Sequence, residues 1–159
     1  ITTQVFVAED TTISGFSILN RITAPTLIKF AIYSHTNYQL IYNSDAILFN
    51  LDEGGIASWK SSPTFSLNLE AGQNYHIGYA HDVAVYDVLD YVPETMNGIT
   101  SGFNVSIIRN FDSLLFERHF IRGADSGVRL HSVPEPTTLF LFLLTAIGYA
   151  VSHLRKSLI

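Results

Sequence analysis

The stretch Thr64-Phe-Ser-Leu-Asn-Leu-Glu-Ala-Gly-Gln-Asn-Tyr75 decides the fold class of this chain. Apolar and polar residues alternate through its first half, which predicts a half-buried strand. The residues predicted to point inward are Phe65, Leu67 and Leu69. Leu69, Gly72 and Tyr75 then have the spacing of a tyrosine corner, in which a phenol bonds back to the backbone where two sheets of a sandwich meet. The alternative is an ordinary turn that a tyrosine happens to follow.

The rest of residues 1–132 repeats this strand pattern. Short runs rich in Val, Ile, Phe, Tyr and Thr are broken by Gly, Pro, Asn and Asp, as in antiparallel β domains. In Leu27–Tyr33, the clearest central strand, Ile28, Phe30 and Ile32 share one face, and Lys29 marks the other face as partly wet. About ten strands at these spacings predict a mainly β, antiparallel two-sheet sandwich of jelly-roll type.

Two segments near the middle of the chain are harder to place. Residues 83–86 are predicted to extend or pair with the preceding hairpin strand at His76–Ala80. Residues 87–98 have no clean period and contain Pro93 and Asn97-Gly98, so they are predicted to form a loop.

Composition limits the partners of this domain. Residues 1–132 carry seven basic and 13 acidic residues, a net charge of −6, and the chain has no cysteine. Nucleic acid is disfavoured as a partner because it requires clustered Lys and Arg. Acidic polysaccharide is also disfavoured unless a divalent cation bridges the two surfaces.

Catalysis is not expected from the motifs. The chain contains no Gly-x-Ser-x-Gly nucleophile elbow and no histidine spacing of a zinc site. Single histidines are scattered through the domain: His35, His76, His81, His119 and His131. We therefore predict a protein that is not an enzyme and needs no cofactor, and a hydrolase is retained as the weakest hypothesis.

One acidic cluster is a candidate calcium site. Asp82, Asp87 and Asp90 could supply the loop carboxylates that Ca²⁺ prefers. The alternative is a solvated acidic loop, because the alternate-position pattern of calcium loops is absent.

Aromatic side chains are the candidate glycan contacts. Exposed rings stack on sugars, and Trp59, Tyr38 and Tyr86 are the residues we single out for that role. The alternative is that these rings belong to the core of the sandwich.

The C-terminal 27 residues, 133–159, have a different character. Leu139 to Val151 carries no charge, and residues 137–154 are 18 residues, which as a helix would rise about 27 Å. A bilayer core of about 30 Å needs at least about 17 residues, so a single transmembrane helix is predicted, with a buried core helix as the alternative. Arg155 and Lys156 follow it, and basic ends stay in the cytoplasm, which would place residues 1–132 outside.

This tail closely resembles the PEP-CTERM sorting signal of bacterial exported proteins. Val133-Pro134-Glu135-Pro136 corresponds to the motif, the apolar segment to the transmembrane part, and Arg155-Lys156 to the basic end. The basic cluster is shorter than usual, and His153 precedes it. The resemblance implies a Gram-negative source, export across the inner membrane, and recognition by an exosortase, a membrane-embedded cysteine transpeptidase or protease. A plain C-terminal anchor is the alternative.

Parts of the domain also look like the exported β-sandwich domains that precede such tails. The segments that carry this likeness are 12–16, 28–33 and 69–75, which are packing motifs and imply no binding residues. The sequence therefore predicts an exported structural or adhesive protein of the cell envelope or of an exopolysaccharide matrix. A carbohydrate-binding module of the same surface is the second hypothesis.

Overall fold

The structure, a computed structural model, describes residues 1–83, 85–87, 95–96, 99–108, 110–122 and 127–132. For 85–87, 95–96, 99–107, 117–122 and 132 it describes the backbone alone. The strands are β1 Thr2–Val7, β2 Thr11–Ile22, β3 Thr26–Ser34, β4 Leu40–Asn43, β5 Ile47–Phe49, β6 Ser58–Ser61, β7 Leu67–Leu69, β8 Asn74–His81, β9 Val85–Asp87, β10 Thr95–Met96, β11 Ile99–Ile108, β12 Phe116–Arg122 and β13 Val128–Ser132. A short 3-10 turn, Glu53–Gly55, lies between β5 and β6.

The larger sheet, which we call sheet A, has the strand order β10-β11-β1-β8-β3-β4. Strand β12 pairs with β11, and β5 pairs with β3 beyond the end of β4. All of these pairings are antiparallel. Strands β4 and β5 thus follow one another along the same edge of β3.

The smaller sheet, sheet B, is built around the long strand β2. Asn20 of β2 pairs with Ser58 on β6 and also with Asp87 on β9, so these two strands lie on opposite sides of β2. Strand β7 continues the β6 side, and β13 continues the β9 side. Sheet B is therefore about three strands wide, with interruptions in both outer strands.

The two sheets face each other across one apolar core. Phe16 of β2 meets Phe30 of β3 edge to face, with ring centroids 5.3 Å apart. The fully buried isoleucines of the same core are Ile13, Ile18, Ile22, Ile28, Ile32 and Ile77. Each such side chain contributes about 1.5–3 kcal/mol through burial. The predicted mainly β, antiparallel two-sheet fold and the inward face of Leu27–Tyr33 are confirmed, whereas jelly-roll connectivity stays a prediction.

The outer face of sheet A is more buried than the presence of Lys29 in β3 predicts. Ala31 and Tyr33 are buried there beneath Leu114, from the turn between β11 and β12, and Phe116, the first residue of β12. The Tyr33 hydroxyl donates a hydrogen bond to the Leu114 carbonyl oxygen at 2.7 Å, and burial raises the pKa of this phenol. Lys29 stays partly exposed, so only part of this face is wet.

The tyrosine corner is present. Leu69 ends β7 in sheet B, and Tyr75 lies in β8 of sheet A, so the segment between them crosses from one sheet to the other. The Glu70 backbone N–H donates to the Tyr75 hydroxyl oxygen at 3.0 Å. Gly72 has φ +74°, in the left-handed region that glycine adopts without strain, and its N–H donates to the Val7 carbonyl at 2.7 Å.

Two local expectations were wrong. Val85–Asp87 pairs with β2 in sheet B and not with the hairpin strand β8. A two-residue strand, Thr95–Met96, lies inside the segment predicted as a loop. Leu114 has φ +50° in the turn that precedes β12, and β12 begins at Phe116.

The predicted membrane segment, residues 137–154, lies outside the described residues. Within the ranges that are described, no helix combines the length and the apolar character needed to cross a bilayer.

Candidate functional site

Trp59 lies on β6 at one side of sheet B. Its backbone pairs with Leu19, and its side chain is only partly exposed. The Arg129 guanidinium, which comes from β13 on the far side of β2, lies 4.3 Å from the centroid of the indole ring. This cation–π contact occupies part of the ring surface that a sugar would use.

Tyr38 lies at the other sheet, in the connection between β3 and β4. It has φ +56° and stacks on Phe116, with ring centroids 4.9 Å apart and an interplanar angle of 18°. Tyr86 pairs with Arg21 in sheet B, and its side chain is outside the described part. Trp59 and Tyr38 therefore belong to different sheets and do not form one stacking platform.

The predicted calcium ligands are only partly described. The Asp82 carboxylate accepts a hydrogen bond from the Leu27 backbone N–H at 2.8 Å, at the start of β3. Asp87 ends β9 in sheet B, and Asp90 lies outside the described residues. Among the side chains that the structure does describe, no three metal-binding groups come together.

Three of the histidines that are scattered through the sequence have close partners in the structure. His35 Nδ1 and His76 Nε2 are 2.9 Å apart, and their rings stack with centroids 5.1 Å apart. His131 Nε2 lies 2.9 Å from the Ser17 hydroxyl, which is also 2.8 Å from the Ser61 hydroxyl. Ser17 is only 4 % exposed, so in this arrangement its hydroxyl serves the contact between β2 and its two neighbours.

A buried ion pair joins Asp52, just before the 3-10 turn, to Lys60 on β6. Both side chains are 8 % exposed. Lys60 contacts Asp52 Oδ1, which also accepts a hydrogen bond from the Ser58 hydroxyl at 2.7 Å. Asp52 Oδ2 accepts from the Ile22 backbone N–H at 2.7 Å. Burial by itself would raise the pKa of Asp52, but the hydrogen bonds from Ile22, Lys60 and Ser58 together hold it below its usual value of 3.8.

An open cleft of about 250 Å³ lies beside the tyrosine corner, and the sequence did not predict it. Five of its lining residues are polar: Ser34, Asn68, Glu70, Gln73 and Asn74. Ile41 and Tyr75 supply the apolar part of the lining. A signal is present in the sequence, because four of the polar residues fall within 68–74, but the local pattern there predicts only the end of a strand and a turn.

The last described strand marks where the domain meets the tail. Strand β13 pairs with the central strand β2 and ends at Ser132. The motif residues Val133, Pro134, Glu135 and Pro136 and the basic residues Arg155 and Lys156 lie outside the described residues.

Comparison with known proteins identifies the tail. Residues 132–156 match the PEP-CTERM protein-sorting motif. No curated protein and no solved structure matches the chain significantly. The chain carries a PEP-CTERM sorting motif behind a mainly β two-sheet domain, and this motif implies an exported, membrane-passing precursor that an exosortase sorts.

Proposed function

We propose that this protein is delivered by an exosortase to the cell envelope or to an extracellular matrix, where its β domain has a structural or adhesive role. The observation that carries this proposal is the sorting motif at residues 132–156, which begins where β13 ends. Because the last described strand, β13, ends at Ser132, processing at or after Pro134–Pro136 would remove no strand from either described sheet.

The topology follows from the charges around the apolar segment. Residues 1–132 form the extracytoplasmic domain, residues 137–154 span the inner membrane, and Arg155 and Lys156 stay in the cytoplasm. This is supported by the uncharged run Leu139–Val151 and by the tendency of basic ends to remain inside. The single-pass form is the precursor, and the sorted protein is at the cell surface or secreted.

The proposed role of the domain is mechanical and not catalytic. Its support is a two-sheet scaffold with a continuous aromatic and aliphatic core, together with a net charge of −6 that favours solubility outside the cell. Exopolysaccharide is the proposed surrounding material, and calcium is a candidate bridge to it if that polymer is acidic.

A sorting experiment tests the proposal. The full chain, with an epitope added after Ile159, is produced in a host with an active exosortase and in the same host without it. We expect the epitope to be lost from the mature protein only when the exosortase is present. Glu135→Ala should retain the epitope, and Glu53→Ala, which changes an exposed glutamate on the 3-10 turn, should lose it as the wild type does. Retention of the epitope in every case would mean that the tail is a plain anchor.

Carbohydrate binding by the β domain is the second candidate function. What favours it is that the side chain of Trp59 remains partly exposed, with the Arg129 guanidinium as a polar neighbour. Polysaccharide pull-down that disappears with Trp59→Ala would support this function at that surface, and undiminished pull-down by Trp59→Ala would exclude that surface.

A further inference from the structure

The cleft beside the tyrosine corner has walls from both sheets. Ser34 ends β3, and Asn74 and Tyr75 begin β8, all in sheet A, whereas Asn68 lies on β7 of sheet B. Glu70 and Gln73 come from the turn that connects the two sheets. The cleft is therefore formed by the crossing segment itself, at one end of the domain.

The backbone around this cleft is held by hydrogen bonds at both ends of the crossing segment. The Val7 N–H donates to the Gln73 carbonyl at 3.0 Å, and the Ala71 N–H donates to the Asp10 carboxylate at 2.8 Å. The Asn74 side-chain oxygen accepts from the Gln4 amide at 3.1 Å. A ligand would thus meet a frame that is already ordered, which lowers the entropic cost of binding.

Two cleft side chains are not used by this frame. Within the described part of the chain, neither the Glu70 carboxylate nor the Gln73 amide makes a hydrogen bond, and both residues are exposed. The Asn68 oxygen has a long contact of 3.5 Å with the Thr12 hydroxyl. Carboxylate and amide groups side by side can accept from and donate to neighbouring hydroxyls of one ligand.

The charges of the cleft select the class of ligand. Its lining includes one carboxylate and no cationic side chain, and residues 1–132 carry a net charge of −6. An anionic ligand would meet like charge with no compensating partner. A neutral ligand with several hydroxyl groups would satisfy the carboxylate and amides without that repulsion.

The size and the apolar lining point to a single ring. A volume of about 250 Å³ is below the roughly 300–1,000 Å³ of sites for drug-sized ligands. Ile41, which is 41 % exposed, offers an apolar contact for one face of a ring. Tyr75 is 7 % exposed and gives no stacking platform, so we expect affinity in the millimolar range.

From these observations we infer that the cleft binds one unit of a neutral sugar, either a free monosaccharide or a unit of a neutral polysaccharide. This assignment rests on the proposed function to the extent that a sorted envelope or matrix protein meets such sugars. It places the sugar site at the crossing segment and not at Trp59, Tyr38 or Tyr86.

Ligand-observed NMR on the full chain tests the inference, in a detergent without a sugar headgroup. The probes are the methyl glycosides of glucose, galactose, mannose and N-acetylglucosamine, with methyl glucuronide as the anionic comparison and dextran as the polymer. We expect saturable binding of at least one neutral glycoside and at least tenfold weaker binding of the glucuronide. Binding of dextran in proportion to its units, and not to its chain ends, would identify internal units as the source.

Variants locate the site. Glu70→Gln combined with Gln73→Ala should weaken binding at least tenfold, whereas Glu53→Gln, on the 3-10 turn, should leave it unchanged. The unfolding curve of the double variant is the folding control. We expect it to match that of the wild type, because both altered side chains are exposed.

Three results would overturn the inference. They are no binding of any neutral glycoside, undiminished binding by the double variant, or loss of binding in Trp59→Ala while the double variant still binds. Because the sorting assay measures the tail, failure of sugar binding leaves the proposed sorting standing. Retention of the tail would leave the cleft assignment standing in the same way.

Discussion

Replacing Asp52 by Asn removes one half of a buried ion pair and leaves Lys60 in place. Both side chains are 8 % exposed, so water cannot take over much of the lost interaction. Breaking a buried pair by removing one partner costs about 3–5 kcal/mol, because the remaining charge is left uncompensated. The asparagine oxygen can still accept from the Ile22 N–H, so we expect a loss of about 3 kcal/mol in the free energy of unfolding, which corresponds to about 10 °C in Tm for a chain of this size.

The pH dependence has a defined sign. The hydrogen bonds to Asp52 hold its folded-state pKa below 3.8. Its contribution to stability is therefore fully present above about pH 4 and is lost as the pH falls through the folded-state pKa. Asp52→Asn should be less stable than the wild type at pH 7, and its stability should fall less steeply below pH 4.

The assay is urea unfolding of the full chain in mild detergent, followed by the fluorescence of Trp59, the only tryptophan. Asp45→Asn is the matched control, because Asp45 is exposed, and it should stay within about 0.5 kcal/mol of the wild type. The double variant Asp52→Asn, Lys60→Met should recover part of the loss, since it leaves no unpaired charge. Equal stability of Asp52→Asn and Asp45→Asn would refute this reasoning.

Three further predictions concern the frame of the domain, and the same unfolding assay measures them. Tyr75→Phe removes the hydrogen bond at the corner and should cost about 1 kcal/mol, whereas Tyr42→Phe should cost much less, and equal losses would contradict the corner's role. Gly78→Ala would push a methyl group into the backbone of Ile1 and Thr2 and should cost about 3 kcal/mol or more. Gly72→Ala meets no atom within 4 Å and should cost only about 1–2 kcal/mol from its positive φ, so the reverse order would count against this packing. Asn20 is fully buried, and its amide has no hydrogen-bond partner in the described residues, so Asn20→Leu should stabilise the domain by about 1 kcal/mol, and a loss would show that the amide is satisfied.

The strands and the corner were predictable because they depend on local patterns. The alternation of Ile28, Phe30 and Ile32 directly reports one buried face, and this holds wherever the strand lies in a sheet. The spacing of Gly72 and Tyr75 is likewise set within six residues. The sorting motif is also local, a contiguous segment whose order of parts identifies it.

The remaining features depend on contacts between segments that are distant in sequence. Tyr33 is buried by a turn about 80 residues away, and no local period reports that. Strand β9 likewise pairs with β2, a strand that lies far from it along the sequence. The cleft was missed for a related reason: Ser34 and Ile41 become neighbours of Glu70 only after the two sheets are assembled. Alternation also could not show that Arg129 covers Trp59 from across a strand.

The most direct test of the central claim is the mass of the C-terminal peptide of the mature protein, isolated from a host with an active exosortase. The motif at residues 132–156 predicts that the mature protein ends near Pro134–Pro136 and lacks the peptides that contain Leu139 to Ile159. Recovery of the mature protein with Ile159 still at its C-terminus, in equal amounts with and without the exosortase, would contradict the account.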